Sequence, residues 1–256
     1  MLPLGQWLWY ANLAALAGLL VRIHVTGLRR ICPFLFTYFL MDAVASLILI
    51  RIPLYSVAYA HAYMVVQAVM HVLAILAVLE LYRVALAKHP GLARFGRASV
   101  LAVTAFAIVV AAAGTFLDQE VLAGQSAINH RFFSLERTIE LVILIFLLLI
   151  AAFITWFPVG VSRNISLSIA GFSVFYFTHA AGLLALNLLV QAYYPAVSSS
   201  LLGISLLCFT VWALVLRPEA NASDYEAGHA GDPAVLARLT HQLDSINAAL
   251  VRLGRR

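Results

Sequence analysis

Charge is scarce in this chain. Lys, Arg, Asp and Glu make up 11% of 256 residues, against 64% hydrophobic residues and a mean hydropathy of +0.98. Soluble domains run at about 25% charged and 45–50% apolar, so a water-soluble enzyme, a secreted scaffold and a disordered tail are all excluded as the main body. Lysine occurs only once, at Lys88. The two cysteines, Cys32 and Cys208, both lie in apolar stretches, which implies no disulfide framework. There is no glycine-rich phosphate loop and no nucleophile elbow, so no catalytic residue set is assigned and no cofactor is called for. The net charge of +5 falls within residues 1–216, while residues 217–256 are balanced. It therefore reports membrane orientation and not a nucleic-acid partner.

What is present is apolar sequence in long runs. A hydrocarbon core about 30 Å thick needs about 20 apolar helical residues. Seven stretches meet that length: 4–22, 31–51, 62–84, 98–117, 136–157, 165–190 and 198–216. Pro3, Pro33, Pro53, Pro158, Pro195 and Pro218 punctuate the span ends, and none falls mid-span. The first charge is Arg22, so the initial run lacks the basic flank of a cleaved leader. Arg22, Arg29, Arg30, Arg83, Lys88, Arg94, Arg97 and Arg163 fall on one side of the bilayer, and Arg51, Arg131 and Arg137 on the other. The positive-inside rule places the first set in the cytoplasm. The expected architecture is an all-α integral membrane protein with seven transmembrane helices over 1–216. Its N-terminus is outside and its C-terminus inside. Tyr55, Tyr59 and Tyr63 read as part of an outer aromatic belt.

Residues 217–232 are polar and read as a linker. Asp232 before Pro233 then has the form of a helix start. Over 233–256, Leu236, Leu239, Leu243, Ile246, Leu250 and Leu253 repeat with spacings of three and four, giving a short amphipathic seam. Three destinations fit it: a homodimer through 233–256, the inner leaflet, or the protein's own bundle.

Polar residues inside a span are functional candidates because lipid makes them costly. Asn12, Asp42, His71 and His179 fall near mid-depth on four different spans, with Gln67 one turn from His71 and Asn187 further along the stripe of His179. Asp42, His71 and His179 also have the side-chain chemistry of metal ligands, but no complete metal motif is present and no metal is assigned. Glu136, Arg137 and Glu140 form a separate constellation at the outer end of the fifth span. Two carboxylates one turn apart there call for a nearby cation. Glu80 and Arg83 are spaced to close a salt bridge at the cytoplasmic end of the third span.

Glu136-Arg137, Trp156-Phe157-Pro158, Arg163-Asn164 and Leu243-Asp244-Ser245-Ile246-Asn247 resemble segments of a group of uncharacterised bacterial seven-span membrane proteins. The resemblance implies a multi-pass protein of the bacterial inner membrane and brings no activity with it. The topology is also similar to that of G-protein-coupled receptors, but Asn-Pro-x-x-Tyr is missing. Microbial rhodopsins need a lysine in the last span. Adiponectin-receptor-type hydrolases need a His-x-x-x-His pair, of which Asp42, His71 and His179 supply only an echo. The function expected from sequence is a sensor or regulatory module with the bilayer as its partner. A small-molecule or proton-coupled transporter and a metal-dependent intramembrane hydrolase are the alternatives.

Overall fold

Proline begins four of the described helices. In the computed structural model, α1 (Pro3–Val25), α3 (Pro33–Leu49), α5 (Pro90–Leu117) and α9 (Pro233–Leu253) all start on one. A proline costs least there, because the first N–H groups of a helix have no internal partner. The remaining helices are α2 (Leu28–Ile31), α4 (Val57–Ala85), α6 (Gln125–Trp156), α7 (Arg163–Leu188) and α8 (Tyr194–Val215). The structure describes the backbone of residues 3–53, 56–117, 125–157, 159–188, 194–218, 224–226 and 233–253. The fold is all-α, and five helices are long and apolar enough to cross a membrane: α1, α4, α6, α7 and α8. The apolar α3, at 17 residues, is shorter than the predicted 31–51 because Cys32 and Ile50 close it at either end.

The helices that touch are α1 with α3, α3 with α4, α4 with α6, α6 with α7, α7 with α8, and α8 with α1. This closes a ring of six, with α5 outside it against α4 and α6. Aromatic side chains fill the join between α3, α7 and α8. Phe39 meets Phe172, Phe209 and Trp212 edge-on, with centroids 5.2–6.0 Å apart. The outer surface is also apolar: Trp7, Val65, Phe106, Leu149 and Leu214 are all at least half exposed. In water such a surface would drive association, whereas in lipid it is the expected one.

One face of the bundle is tied together by polar contacts. The Arg22 side chain, near the end of α1, donates from Nε to the Leu216 carbonyl at 2.9 Å. The fully buried Asn164 donates from Nδ2 to the Arg217 carbonyl at 2.7 Å and accepts from the Arg217 N–H at 3.2 Å. The end of α8 is therefore held by α1 and by the start of α7. Asn164→Ala leaves two backbone groups of Arg217 without these partners. We expect a loss of about 1–3 kcal/mol, read as a lower midpoint in a detergent heat-aggregation assay. An unchanged midpoint would show that water replaces both bonds at no cost.

Glu80 departs from its sequence reading. Its carboxylate does not close on Arg83; Oε2 instead accepts the Leu35 N–H at 3.0 Å. Cys32, at the N-cap of α3, makes no side-chain cap bond, so a first-turn donor of α3 is satisfied from α4. An orphan N–H at the positive end of a buried helix is the stronger claim on a 5%-exposed carboxylate than an exposed guanidinium one turn away.

The C-terminal segment is docked. Within 217–232, Asp224–Glu226 (β2) pairs antiparallel with Gly160–Ser162 (β1), placing Tyr225 opposite Val161. Beyond it, α9 packs on α5. Leu243 is buried, Leu250 is half-buried and Ile246 is 44% exposed. The side chains of Leu236 and Leu253 lie outside the described residues, as does Asp232. Asn247 accepts at Oδ1 from the Gly91 N–H at 2.8 Å and the Leu92 N–H at 3.4 Å, capping the start of α5 from another helix.

Candidate functional site

Three side chains on α4, Tyr63, Gln67 and His71, recur every four residues and so lie on one stripe. Opposite them, Glu136 and Glu140 are one turn apart on α6. The sequence placed Glu136 at the outer mouth and His71 at mid-depth, and helix lengths remove the difference. Glu136 is about 11 residues, or 16 Å, into α6, while Gln67 is about 10 residues, or 15 Å, into α4. The apolar run used to locate the fifth span begins at 136, but the helix begins at Gln125.

The contacts are specific. Glu136 Oε1 accepts from the Tyr63 hydroxyl at 3.1 Å and from Gln67 Nε2 at 2.9 Å. Gln67 Nε2 also donates to the Tyr63 hydroxyl at 3.0 Å. His71 Nδ1 lies 2.6 Å from the Gln67 carbonyl. A carbonyl only accepts, so Nδ1 carries the proton and Nε2 keeps its lone pair for a ligand. On α7, His179 Nδ1 stands 3.9 Å from Glu140 Oε1, and its ring packs against Phe175 with centroids 4.4 Å apart. His71, Glu136 and Glu140 each offer one donor atom, and these three atoms lie within 4.8 Å of one another. All three residues are buried, Glu136 to 2% exposure and Glu140 to 4%.

Each carboxylate has one oxygen left over. Glu136 Oε2 and Glu140 Oε2 are buried and have no hydrogen-bond partner. Buried polar atoms are nearly always satisfied, so these two oxygens, on residues one turn apart, are open to a further partner. An imidazole nitrogen and two carboxylate oxygens, with a second imidazole beside them, form the donor set of a divalent transition-metal ion such as Zn²⁺, Mn²⁺ or Fe²⁺. Gln67 orients His71 through its carbonyl and Glu136 through its amide, the kind of outer support that fixes metal ligands.

The structure thus joins residues that the sequence kept in two groups. His71, Gln67 and His179 from the mid-depth set meet Glu136 and Glu140 from the outer set. Asp42 stands apart: among the described residues no hydrogen bond or ion pair reaches its carboxylate. Tyr38, one turn before it on α3, instead accepts from the Tyr176 hydroxyl of α7 at 3.3 Å. Among the described residues the group that could hold a metal ion is His71, Glu136 and Glu140, and it shares only His71 with the echo of a ligand set noted in the sequence. Asn12, on α1, keeps its Oδ1 buried and unpartnered away from this cluster. The side chains of Arg137 and Asn187 lie outside the described residues. Tyr63, read from sequence as an interfacial aromatic, is a hydrogen-bond donor to Glu136. Its four-residue spacing from Gln67 was the available signal.

No protein-family model, curated protein or solved structure matches the chain.

Proposed function

We propose that this chain is a seven-helix sensor of a bacterial inner membrane that responds to a divalent transition-metal ion held by His71, Glu136 and Glu140. The observation that carries the reading is the pair of unpartnered carboxylate oxygens buried beside an imidazole. Two carboxylates withdrawn from water are costly unless a cation compensates them, and a divalent ion cancels both charges at once. His179 is placed to join from α7.

The seven-span reading adds α3 and α5 to the five long apolar helices. At one face, α1, α4, α6 and α8 end while α3, α5 and α7 begin. The residues Arg22, Arg83, Arg94 and Arg163 belong to that face, which supports a cytoplasmic assignment and an outer N-terminus. The resemblance to bacterial seven-span proteins supports the inner membrane. The sensor reading rests on helix order. The ligands sit on α4 and α6, α5 packs against both, and α9 is docked on α5. An ion that draws α6 toward α4 favours one packing of this unit, and α9 is the element at its end.

A transporter is the second reading, favoured by the Tyr38–Tyr176 hydroxyl pair. That pair joins α3, which carries Asp42, to α7, which carries His179. The test is metal uptake by chelator-stripped protein, titrated with Zn²⁺ and Mn²⁺. About one ion per chain is expected, as for a single closed site, and no stoichiometric uptake of either ion would overturn the proposal. Metal flux in proteoliposomes separates the two readings: binding without flux supports the sensor, and flux supports the transporter.

A further inference from the structure

A second polar feature lies at the face where α4 ends and α5 begins, away from the metal-ligating cluster. A cavity of about 340 Å³ opens between these helices, within the ~300–1,000 Å³ range of small-molecule sites. Its rim carries three guanidinium groups, from Arg83 on α4 and from Arg94 and Arg97 on α5. Arg94 and Arg97 are one turn apart, so both face the same groove. Glu80 also lines the cavity, but Oε2 is committed to the Leu35 N–H. The three cations thus outnumber the one carboxylate, which is turned to the start of α3.

The wall below the rim is apolar. Leu79 and Leu76 lie one and two turns before Arg83 on the same stripe of α4, and Phe34 adds a 43%-exposed ring from α3. On the α5 side the lining residue next to Arg94 is Ala93, whose small side chain leaves the groove open. The cavity therefore has a cationic top at the membrane surface and an apolar side running into the bilayer. A free anion would use only the top. A molecule with a phosphate head and hydrocarbon chains would use both.

We infer that the groove formed by Arg83, Arg94 and Arg97 above Leu76, Leu79 and Phe34 is a binding site for an anionic phospholipid, with the phosphate between the guanidiniums and a chain along α4. Arginine suits this role because its planar fork meets phosphate oxygens in pairs. Basic pockets between membrane helices on the cytoplasmic side are a recurring way of holding anionic headgroups.

The test is native mass spectrometry of the full chain released from nanodiscs of equal phosphatidylglycerol and phosphatidylethanolamine. The intact protein should retain one phosphatidylglycerol in about tenfold preference over phosphatidylethanolamine, because only the anionic headgroup engages the basic residues. In R83Q/R94Q/R97Q the preference should fall to parity while the monodisperse elution profile is kept. The charge-keeping R83K/R94K/R97K protein should show a preference between the two, since lysine keeps the charge and loses the paired contacts, which guards against a misfolded triple variant. Leu76→Trp, which fills the apolar side and leaves the charges alone, should lower retention of phosphatidylglycerol. Equal retention of the two lipids by the wild-type protein would overturn the site. Displacement of the lipid by millimolar inorganic phosphate, with Leu76→Trp having no effect, would overturn the lipid assignment in favour of a soluble phosphate.

Discussion

Glu140→Gln is expected to abolish stoichiometric metal uptake. The substitution keeps the shape of the side chain and removes one of the two charges that the ion compensates. Glu140 Oε2 has no other partner in the fold, so no hydrogen-bonded network hides the loss. His71→Ala should act equally strongly, because it removes the lone pair that the Gln67 carbonyl directs toward the carboxylates. Tyr63→Phe and Gln67→Ala leave the ligands in place but loosen Glu136, and should weaken affinity by about 10–100-fold. Asp42→Asn, outside the cluster, should leave uptake unchanged. Stability provides a second readout with the opposite sign. In the stripped protein Glu140→Gln should be neutral or stabilising, since it removes a buried uncompensated charge, whereas saturating metal should no longer raise its melting midpoint. Unaltered uptake by both Glu140→Gln and His71→Ala would place the ion elsewhere.

Release of α9 is the second large effect expected, and Gly91→Ala should produce it. A Cβ on Gly91 would come within 2.5 Å of the Asn247 backbone oxygen and 2.9 Å of its Oδ1. The side-chain oxygen can swing away, but the backbone oxygen moves only if α9 moves. Asn247→Ala is gentler, because it removes the cap from the Gly91 and Leu92 N–H groups without a collision. Loss of a cap costs about 0.5–2 kcal/mol, and 1.4 kcal/mol is a factor of ten in the docked population. Limited proteolysis should therefore free the C-terminal helix about tenfold faster in Asn247→Ala, and faster still in Gly91→Ala. Ser245→Ala, which alters an exposed bond to the Gln242 carbonyl within α9, should match the wild type. Equal release from Gly91→Ala and wild type would show that Asn247 and Gly91 do not hold the helix in place.

These two regions show how far the sequence carries. The α9 helix was legible, with Pro233 as its first residue and the spacing of Leu243, Ile246 and Leu250 marking an apolar stripe. Its destination was not, because a short seam fits a second copy, a lipid surface or a neighbouring helix equally well. What distinguishes the bundle is Asn247, a polar residue that flanks the seam and whose partners lie about 155 residues away. The polar cluster behaves alike. Each of its members stood out in the sequence by being polar in an apolar setting. Their grouping did not, because depth was counted from apolar runs while α6 starts well before its apolar part.

The sequence by itself determined an all-α chain with several helices long and apolar enough to cross a membrane, and proline marked the starts of α1, α3 and α9, since length, hydropathy and proline placement are local properties. It also singled out His71 as a polar residue within a span, and Glu80, Glu136 and Glu140 as charged residues at span ends. Only the tertiary structure decided that Glu80 caps α3, that His71 meets two glutamates and not Asp42, and that α9 lies on α5. Each of these outcomes depends on which helices become neighbours and at what height. That choice is made by packing among α3, α4, α6 and α7, through contacts between residues far apart in the chain that periodicity within a helix cannot encode.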